Sequence, residues 1–571
     1  MPRLSLGERA RVTWLAGERA RRRIVSRALS SRLLRWRYGS TIADQLLIIP
    51  QDLRTRDPSF WQEVQVDQFG LAGSLAILSG QSPFTVRPPS ESWERALHGF
   101  GWLRHLEANE EREAQEAARR LAVEWAAKYR GGGGGIPWRP EVIARRLYSW
   151  ITHAGYLLED ADAKTYDVIS ECLGFQLVRL SATWRTAPVG PPRLLSLMAM
   201  VLGDLTIADH ERQLSDAERL LATELARQIL PDGGHISRNP AILVELLLDL
   251  LPLSQCFVAR NRPVPKEMSE AIRRALGMLR FMRMNDGSLA RFNGTGLADP
   301  AHIATVLAYG PGGGKPLRDA ATQSGYVRFE AGRTLLVCDV GGPPALEYAG
   351  TAHAGCLSFE LGHGSQLIFV NGGAPRARET GWMTKARATV SQNTLCLGEK
   401  SSSKMVRHPF LEDLVGAYPI RFPNVVKSKV SLPGDENFKG FMLEARHDGY
   451  MHRFSLMHSR TLRLSENGLR LEGIDRIEGK SGVVRLKFDL PFSIHFHLHP
   501  DVGASEETGE GYVLLDLPDG TAWRFRASGA RLAIEEGIYF ADSAGPMRAR
   551  QIVLRGTTFG QSEVTWSLNG D

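Results

Sequence analysis

A polar turn between two apolar stretches holds the first side chains that could do chemistry. It spans residues 232–240, Asp-Gly-Gly-His-Ile-Ser-Arg-Asn-Pro. Asp and Gly favour a turn, and Asn239 can cap a helix that begins at Pro240. Capping accounts for Asn239 and Pro240 but leaves His235 and Arg238 for another purpose. Imidazole titrates near neutral pH and guanidinium binds carboxylates, so this turn is a candidate site.

A second candidate is the loop Tyr-Ala-Gly-Thr-Ala-His-Ala-Gly-Cys that starts at Tyr348. Small residues surround His353, which would leave its imidazole accessible. The loop leads into an alternating segment with Leu357, Phe359 and Leu361 on one face, which predicts a strand. We therefore expect His353 to be functional.

A third candidate is a row of histidines at alternate positions, His495, His497 and His499. On a strand all three would point to the same face. Clustered imidazoles suit zinc or a similar metal, and a solvent-facing row is the simpler alternative.

The elements that must position these residues change character along the chain. Between 90 and 285 apolar residues recur every three or four positions and prolines fall between the segments, which predicts successive antiparallel helices. A Gly- and Pro-rich linker spans 294–316, and short alternating segments follow, with hairpin turns at Asn467-Gly468 and Asp519-Gly520. We predict an α+β multidomain protein with a basic arm at 1–40, a helical domain at 41–320 and an antiparallel β-sandwich at 321–571.

The positive charge of the chain is concentrated in the arm. The 571 residues carry a net charge of +7, yet residues 1–40 hold eleven arginines against Glu8 and Glu18, so the remaining chain is slightly acidic. Arginines interleave with Trp14, Ile24 and Leu29 in this basic amphipathic segment, which would dock on the fold or rest on an anionic membrane surface. Nucleic acid is the least favoured partner, and we expect none.

Composition excludes several classes of protein. The chain is 43% hydrophobic and 23% charged, as in ordinary globular proteins, and it contains no uninterrupted run of about 18 apolar residues, the length of a membrane span. The five cysteines are widely spaced, which suggests neither a disulfide framework nor a zinc ribbon.

The helical half, the sandwich half and the motifs at 352–360 and 368–373 together resemble the heparinase II/III-like polysaccharide lyases. The segments 136–150 and 232–235 are similar to the helical domain of that family. The resemblance implies an incomplete α/α toroid packed on an antiparallel β-sandwich, with a groove for an acidic polysaccharide between them. It also implies β-elimination at a uronic acid and a periplasmic or envelope location. No cleavable signal is visible, so the cytoplasm is the alternative.

The departures from the family concern its zinc site and its catalytic set. The resemblance implies His-x-His in the sandwich loop, but Thr351 stands at the first place and His353 at the second. Asn371 and Gln392 occupy the positions of two further zinc ligands. Amides are poor zinc ligands, so we expect no cofactor, with the 495–499 histidines as the only substitute.

Elimination requires a neutralised substrate carboxylate, a base and an acid. We predict Arg238, Asn239, Asn371 and Gln392 as substrate-binding residues. The predicted catalytic residues are His235 or His353 as the base and Tyr348 as the acid. The alternative is a catalytically degenerate glycan-binding or envelope-structural protein on the same scaffold.

Overall fold

The computed structural model describes residues 4–29, 31, 43, 45–208, 210–310, 320–375, 381–406, 408–431, 439–479, 489–507 and 511–571. Residues 32–40 of the predicted arm and residues 311–316 of the predicted linker therefore lie outside the described residues.

The regular elements among the described residues of the first half are helices, apart from one hairpin. Its helices are α1 (Leu6–Leu29), α2 (Ser59–Gln65), α3 (Glu91–Gly99), α4 (Leu103–Glu107), α5 (Arg112–Tyr129), α6 (Pro140–Thr152), α7 (Ala154–Leu158), α8 (Ala163–Thr183), α9 (Pro191–Thr206), α10 (Glu211–Gln228), α11 (Ala241–Ala259), α12 (Lys266–Met282) and α13 (Pro300–Tyr309). The hairpin pairs β1 (Gln68–Leu71) with β2 (Ser74–Ile77).

Three inner helices, α6, α9 and α11, form the centre of this helical part. They pack side by side and are buried around most of their circumference, and α8, α10 and α12 cover them. Each inner helix starts at or just after a proline, whose fixed φ suits a first turn. Although α11 is apolar and long enough to span a membrane, 67% of its most apolar stretch is buried in the protein. It is a core helix of the toroid.

The second half is built mainly of strands. They are β3 (Ala320–Ala321), β4 (Tyr326–Ala331), β5 (Thr334–Asp339), β6 (Phe359–His363), β7 (Gln366–Phe369), β8 (Leu395–Leu397), β9 (Lys404–Met405), β10 (Pro419–Arg421), β11 (Val425–Ser431), β12 (Gly440–His447), β13 (Leu456–Ser465), β14 (Arg470–Gly479), β15 (Pro491–His497), β16 (Gly503–Glu507), β17 (Tyr512–Asp516), β18 (Ala522–Ser528), β19 (Arg531–Tyr539), β20 (Met547–Thr557) and β21 (Glu563–Gly570). Three short helices interrupt them, α14 (Trp382–Ala386), α15 (Pro409–Val415) and α16 (Met451–Phe454).

Within the described residues the strands form two layers of a sandwich, and all pairings are antiparallel. One layer is an eight-stranded sheet of order β11-β12-β13-β14-β21-β18-β17-β16. The other combines the sheets β3-β4-β5-β6-β7 and β19-β20-β15-β8, which a bridge between Phe369 and Leu498 joins. Alternate residues of both layers meet in one apolar core that includes Phe359, Phe496 and Trp566. The predicted fold class is confirmed.

Candidate functional site

The 232–240 turn and the 340–358 loop meet at the seam between the helical and sheet-rich halves. Asp232 ties the turn to the sandwich, because its carboxylate accepts hydrogen bonds from the Ser324 amide at 2.6 Å and the Ser324 hydroxyl at 2.7 Å. At Gly233 the backbone has φ of 91°, and a Cβ would lie 2.0 Å from the Arg274 carbonyl oxygen. Only glycine fits here. The turn is therefore fixed by both halves of the protein.

Arg238 acts as a clamp across this seam. Its Nε donates to the Ser324 carbonyl at 2.7 Å, and Nη1 donates to the Gly342 carbonyl at 3.0 Å. Nη2 donates to the Gly325 carbonyl at 3.2 Å and forms an ion pair with Asp339. Four of the five guanidinium N–H groups are thus used inside the protein. Little remains for the substrate carboxylate that Arg238 was predicted to bind.

The electrostatics of the clamp favour a permanent charge pair. Burial alone would lower the pKa of Arg238, but the adjacent Asp339 carboxylate outweighs it and raises the pKa. Asp339 is 3% exposed and also accepts a hydrogen bond from the Asn293 amide at 3.1 Å. Asn293 and Asp339 were not singled out from the sequence. An Asn-Gly pair at 293–294 was the available signal for a turn there, and Asn293 has φ of 50°.

His235 is a buried histidine with both ring nitrogens bonded. Its Nε2 lies 2.9 Å from Gln228 Oε1, and Nδ1 lies 2.7 Å from the Ser237 hydroxyl. Since the Gln228 oxygen can only accept, Nε2 carries the proton, and Nδ1 accepts from the Ser237 hydroxyl and amide. Burial lowers the pKa of His235 to about 3. The one basic nitrogen is therefore occupied, which opposes the predicted role as a base.

Tyr348 lies beside His235, with ring centroids 6.4 Å apart. Arg227 stacks over the Tyr348 ring at 5.7 Å. The phenol oxygen is buried without a hydrogen-bond partner, and burial raises the pKa of Tyr348 to about 12. A phenol that keeps its proton is chemically suited to be an acid, the role predicted for it.

His353 lines a narrow cavity on the other side of the seam. Its Nδ1 lies 3.3 Å from Gln392 Nε2, and its Nε2 is buried without a partner. Burial, and next the charge of Arg387, lower the pKa of His353 to about 3. The cavity measures about 20 Å³, and Phe422 and Pro423 help to close it. That volume holds one water molecule and no sugar ring.

Asn239 has the capping role that the sequence predicted. Its Oδ1 accepts hydrogen bonds from the Ala241 amide at 3.0 Å and the Thr295 hydroxyl at 2.9 Å. The side chain is 6% exposed. Its predicted contact with substrate stays a prediction.

The residues near His353 do not fit a zinc ion. Gln392 Nε2 donates to the Ala386 carbonyl at 2.8 Å, and Asn371 Oδ1 accepts from the Asn393 amide at 2.9 Å. One imidazole and two amides are a poor donor set for zinc. In the described part of the chain, no group of three or more His, Cys, Asp or Glu residues could hold a metal.

The 495–499 histidines are bonded individually to the protein. His495 contacts Gln551 Oε1 at 3.0 Å, and His497 Nε2 lies 2.9 Å from the Val390 carbonyl. The two rings stack 6.0 Å apart at 13°, while His499 packs on Tyr539. His495 and His497 are buried, so this row does not face solvent. The predicted shared face exists, but its imidazoles serve packing and hydrogen bonding.

A helical toroid, an antiparallel sandwich and a seam between them are the architecture that the sequence resemblance implied. A family profile described as heparinase II/III-like, C-terminal, matches residues 313–567. FtsZ-localized protein C of Caulobacter vibrioides is 30% identical over 536 residues, which cover 91% of this chain and 89% of that protein. The chain belongs to the heparinase II/III-like family, as the sequence motifs predicted.

Solved structures support the same fold. Heparan sulfate lyase HepC from Pedobacter heparinus matches with a TM-score of 0.60 at 17% identity, covering 98% of this chain and 88% of that one. Heparinase III matches with a TM-score of 0.67 at 13% identity, covering 94% of this chain and 88% of that one. At this identity the likeness concerns the fold and not the activity.

Proposed function

We propose that this chain is a non-cleaving member of its family that serves as a structural protein of the bacterial division apparatus. The observation that carries the proposal is the closed seam. His353 faces a cavity of water size, and Arg238 is committed to Asp339 and three backbone carbonyls. A lyase must admit a sugar ring to its base and neutralise the substrate carboxylate, and this seam offers neither.

The relative that localises with FtsZ supports a division role and names the partner. Thirty per cent identity over nearly the full length of both chains makes a shared partner a reasonable inference. A protein that reaches FtsZ must share its compartment, which favours the cytoplasmic alternative over the periplasm. The five cysteines are buried free thiols, which suits a reducing compartment.

Co-sedimentation with FtsZ polymers tests the partner. Purified chain is mixed with Caulobacter vibrioides FtsZ and GTP, and polymers are pelleted. We expect the chain in the pellet only when polymers form. A chain that stays in the supernatant at all FtsZ concentrations would contradict this part of the proposal.

β-Elimination on a uronic-acid-containing glycan is the second candidate function. Tyr348 supports it, because its phenol is protonated and unpaired at the seam and could protonate a departing glycosidic oxygen. Under this alternative an acidic polysaccharide is the substrate, and Tyr348→Phe abolishes product while leaving the fold intact.

Peripheral membrane contact through α1 remains a further part of the proposal. Trp14 and Ile24 are 48% and 66% exposed, and Arg9, Arg21 and Arg23 are exposed along the same helix. Apolar and basic side chains together suit an anionic lipid surface. Flotation with vesicles containing phosphatidylglycerol tests it, with pure phosphatidylcholine vesicles as the control. Trp14→Glu should reduce flotation, and equal flotation of the variant would contradict the assignment.

A further inference from the structure

The N-terminal helix α1 is anchored to the sheet-rich half by a buried carboxylate. Glu8 is 2% exposed, and its carboxylate forms ion pairs with the Lys404 ammonium at 2.8 Å and with the Arg421 guanidinium. One turn later Arg11 donates to the Ile420 carbonyl at 2.6 Å. Burial alone would raise the pKa of Glu8, but the Lys404 hydrogen bond and the nearby cations lower it.

An apolar patch reinforces this anchor. Val12 and Leu15 lie on the same face of α1 as Glu8 and are buried, at 8% and 6% exposure. They form a small separate core with residues of the α15–β10 segment and its neighbour, Val406, Val415 and Ile420. This core is distinct from the main core of the sandwich, so α1 can leave without opening that core.

Further along, α1 crosses to the helical half. It contacts α8 and the turn Trp184–Thr186, and the Glu18 carboxylate attracts Arg193 while the Arg22 guanidinium repels it. Arg193 lies in the first turn of α9, an inner helix of the toroid. One helix therefore bridges both sides of the seam.

Residues 416–418, which α1 contacts, pack against the Leu346–Thr351 turn that carries Tyr348. At Gly416 a Cβ would lie 2.9 Å from Arg19 of α1, which shows how closely the helix approaches. Tyr418 approaches the turn closely as well, because a Cβ at Gly350 would lie 3.4 Å from its hydroxyl. Contacts thus run from α1 through residues 416–418 to the turn that carries Tyr348.

Among the described residues near this chain of contacts, the Tyr348 hydroxyl, Thr351 Oγ1 and Arg193 Nε are buried polar atoms without a hydrogen-bond partner. Leaving such groups unsatisfied in a closed state costs free energy, which an open state would recover from water or a ligand. Opening of the seam would relieve this cost, and α1 is positioned to oppose that opening.

We propose that α1 is a releasable strap that holds the seam closed over Tyr348 and Arg193. When α1 is docked, Glu8, Val12 and Leu15 grip the sheet-rich half while the C-terminal part of the helix holds the toroid. When α1 is released, the turn Leu346–Thr351 and the start of α9 gain access to solvent. The strap would operate in a cleaving or a non-cleaving protein, so the inference does not depend on the proposed function.

Hydrogen–deuterium exchange of the full chain tests the strap. Glu8→Gln removes the charge that Lys404 and Arg421 share, and losing charge-assisted hydrogen bonds of this kind should speed opening roughly tenfold or more. We expect faster exchange in α1, in residues 416–421 and in residues 346–352, with no change in β14. Glu116→Gln is the matched control, since Glu116 forms an exposed pair with Arg112 within α5.

A second variant, Val12→Asp, breaks the apolar part of the anchor and should give the same pattern. Faster exchange confined to α1 in both variants would overturn the proposal, because the helix would then be docked without restraining the seam. Unchanged exchange in both variants would overturn it as well. Uniformly faster exchange, including β14, would indicate global destabilisation and would also count against a strap.

Discussion

Replacing Arg238 separates a role in the seam from a role in binding substrate. Arg238→Ala leaves the Asp339 carboxylate, 3% exposed, without its cation and leaves the carbonyls of Ser324, Gly325 and Gly342 without this donor. Removing one partner of a buried ion pair costs about 3–5 kcal/mol. We expect the free energy of unfolding to fall by that amount.

Arg238→Gly provides an internal check on the magnitude. Arg238 has φ of 63°, a left-handed conformation that costs a side-chain-bearing residue about 1 kcal/mol relative to glycine. The glycine variant loses the same contacts but relieves this backbone cost. It should therefore be less destabilised than Arg238→Ala by about 1 kcal/mol.

Urea unfolding followed by tryptophan fluorescence measures both effects. Arg476→Ala is the matched control, because Arg476 pairs with Glu563 on the exposed sheet face and both side chains are 45% exposed. An exposed pair contributes at most about 1 kcal/mol, so this variant should unfold almost like the wild type. If Arg238→Ala also unfolded like the wild type, the clamp would be refuted and the substrate-binding role would regain support.

Three further predictions concern pH, backbone space and metal content. Burial alone would lower the pKa of His153, but Asp52 and Glu107 raise it above its usual value. The stabilisation that this histidine contributes is therefore complete below pH 6.5 and is lost as pH rises through the folded pKa. His153→Gln should abolish this loss in urea midpoints measured from pH 6 to pH 9, and an unchanged pH profile would contradict the prediction. Gly233→Ala should lower the free energy of unfolding by several kcal/mol in urea, since its Cβ would lie 2.0 Å from the Arg274 carbonyl oxygen at a φ of 91°. Gly520→Ala is the control, because Gly520 also has positive φ but has open space around it, and this variant should lose about 1 kcal/mol. Equal losses in the two variants would refute the steric argument. Metal analysis of purified protein should find no zinc that depends on His353, and one zinc per chain lost on His353→Ala would overturn the account of the Asn371 and Gln392 positions.

Local patterns were sufficient to predict the fold. The apolar period between residues 90 and 285 predicts successive helices, and α12 at Lys266–Met282 is one of them. Asn467-Gly468 lies in the connection from β13 to β14, and Asp519-Gly520 lies in the connection from β17 to β18, as the turn preference of these dipeptides predicts. These features depend on residues close together in the sequence.

The state of the site depended on distant residues and could not be predicted in the same way. Arg238 pairs with Asp339, 101 positions away, and its other acceptors are backbone carbonyls that no side-chain pattern reveals. His353 has small neighbours in sequence, which predicted an accessible imidazole, but Phe422 and Pro423 close its cavity from another part of the chain. The sequence identified the turn and the loop that meet at the seam, but it left the closure of the seam undetermined.

The domain boundary at residue 320 stays a prediction from the change of period. Helix α13 ends at Tyr309 and β3 begins at Ala320, with residues 311–319 outside the described part. Limited proteolysis between 310 and 320 that releases two stable fragments would test the boundary at 320.

An elimination assay tests the central claim most directly. Wild-type chain and the Glu8→Gln variant are incubated at high concentration with heparan sulfate, alginate and hyaluronan, and the ultraviolet absorbance of unsaturated uronic acid is followed over a day, with an active polysaccharide lyase as the positive control. We expect no product from the wild type, because the seam is closed to a sugar ring. We expect none from the variant either, because Arg238 stays paired with Asp339 and His235 stays hydrogen-bonded within the protein. Product that accumulates with wild-type chain and disappears with Tyr348→Phe would contradict the account and establish the chain as a lyase.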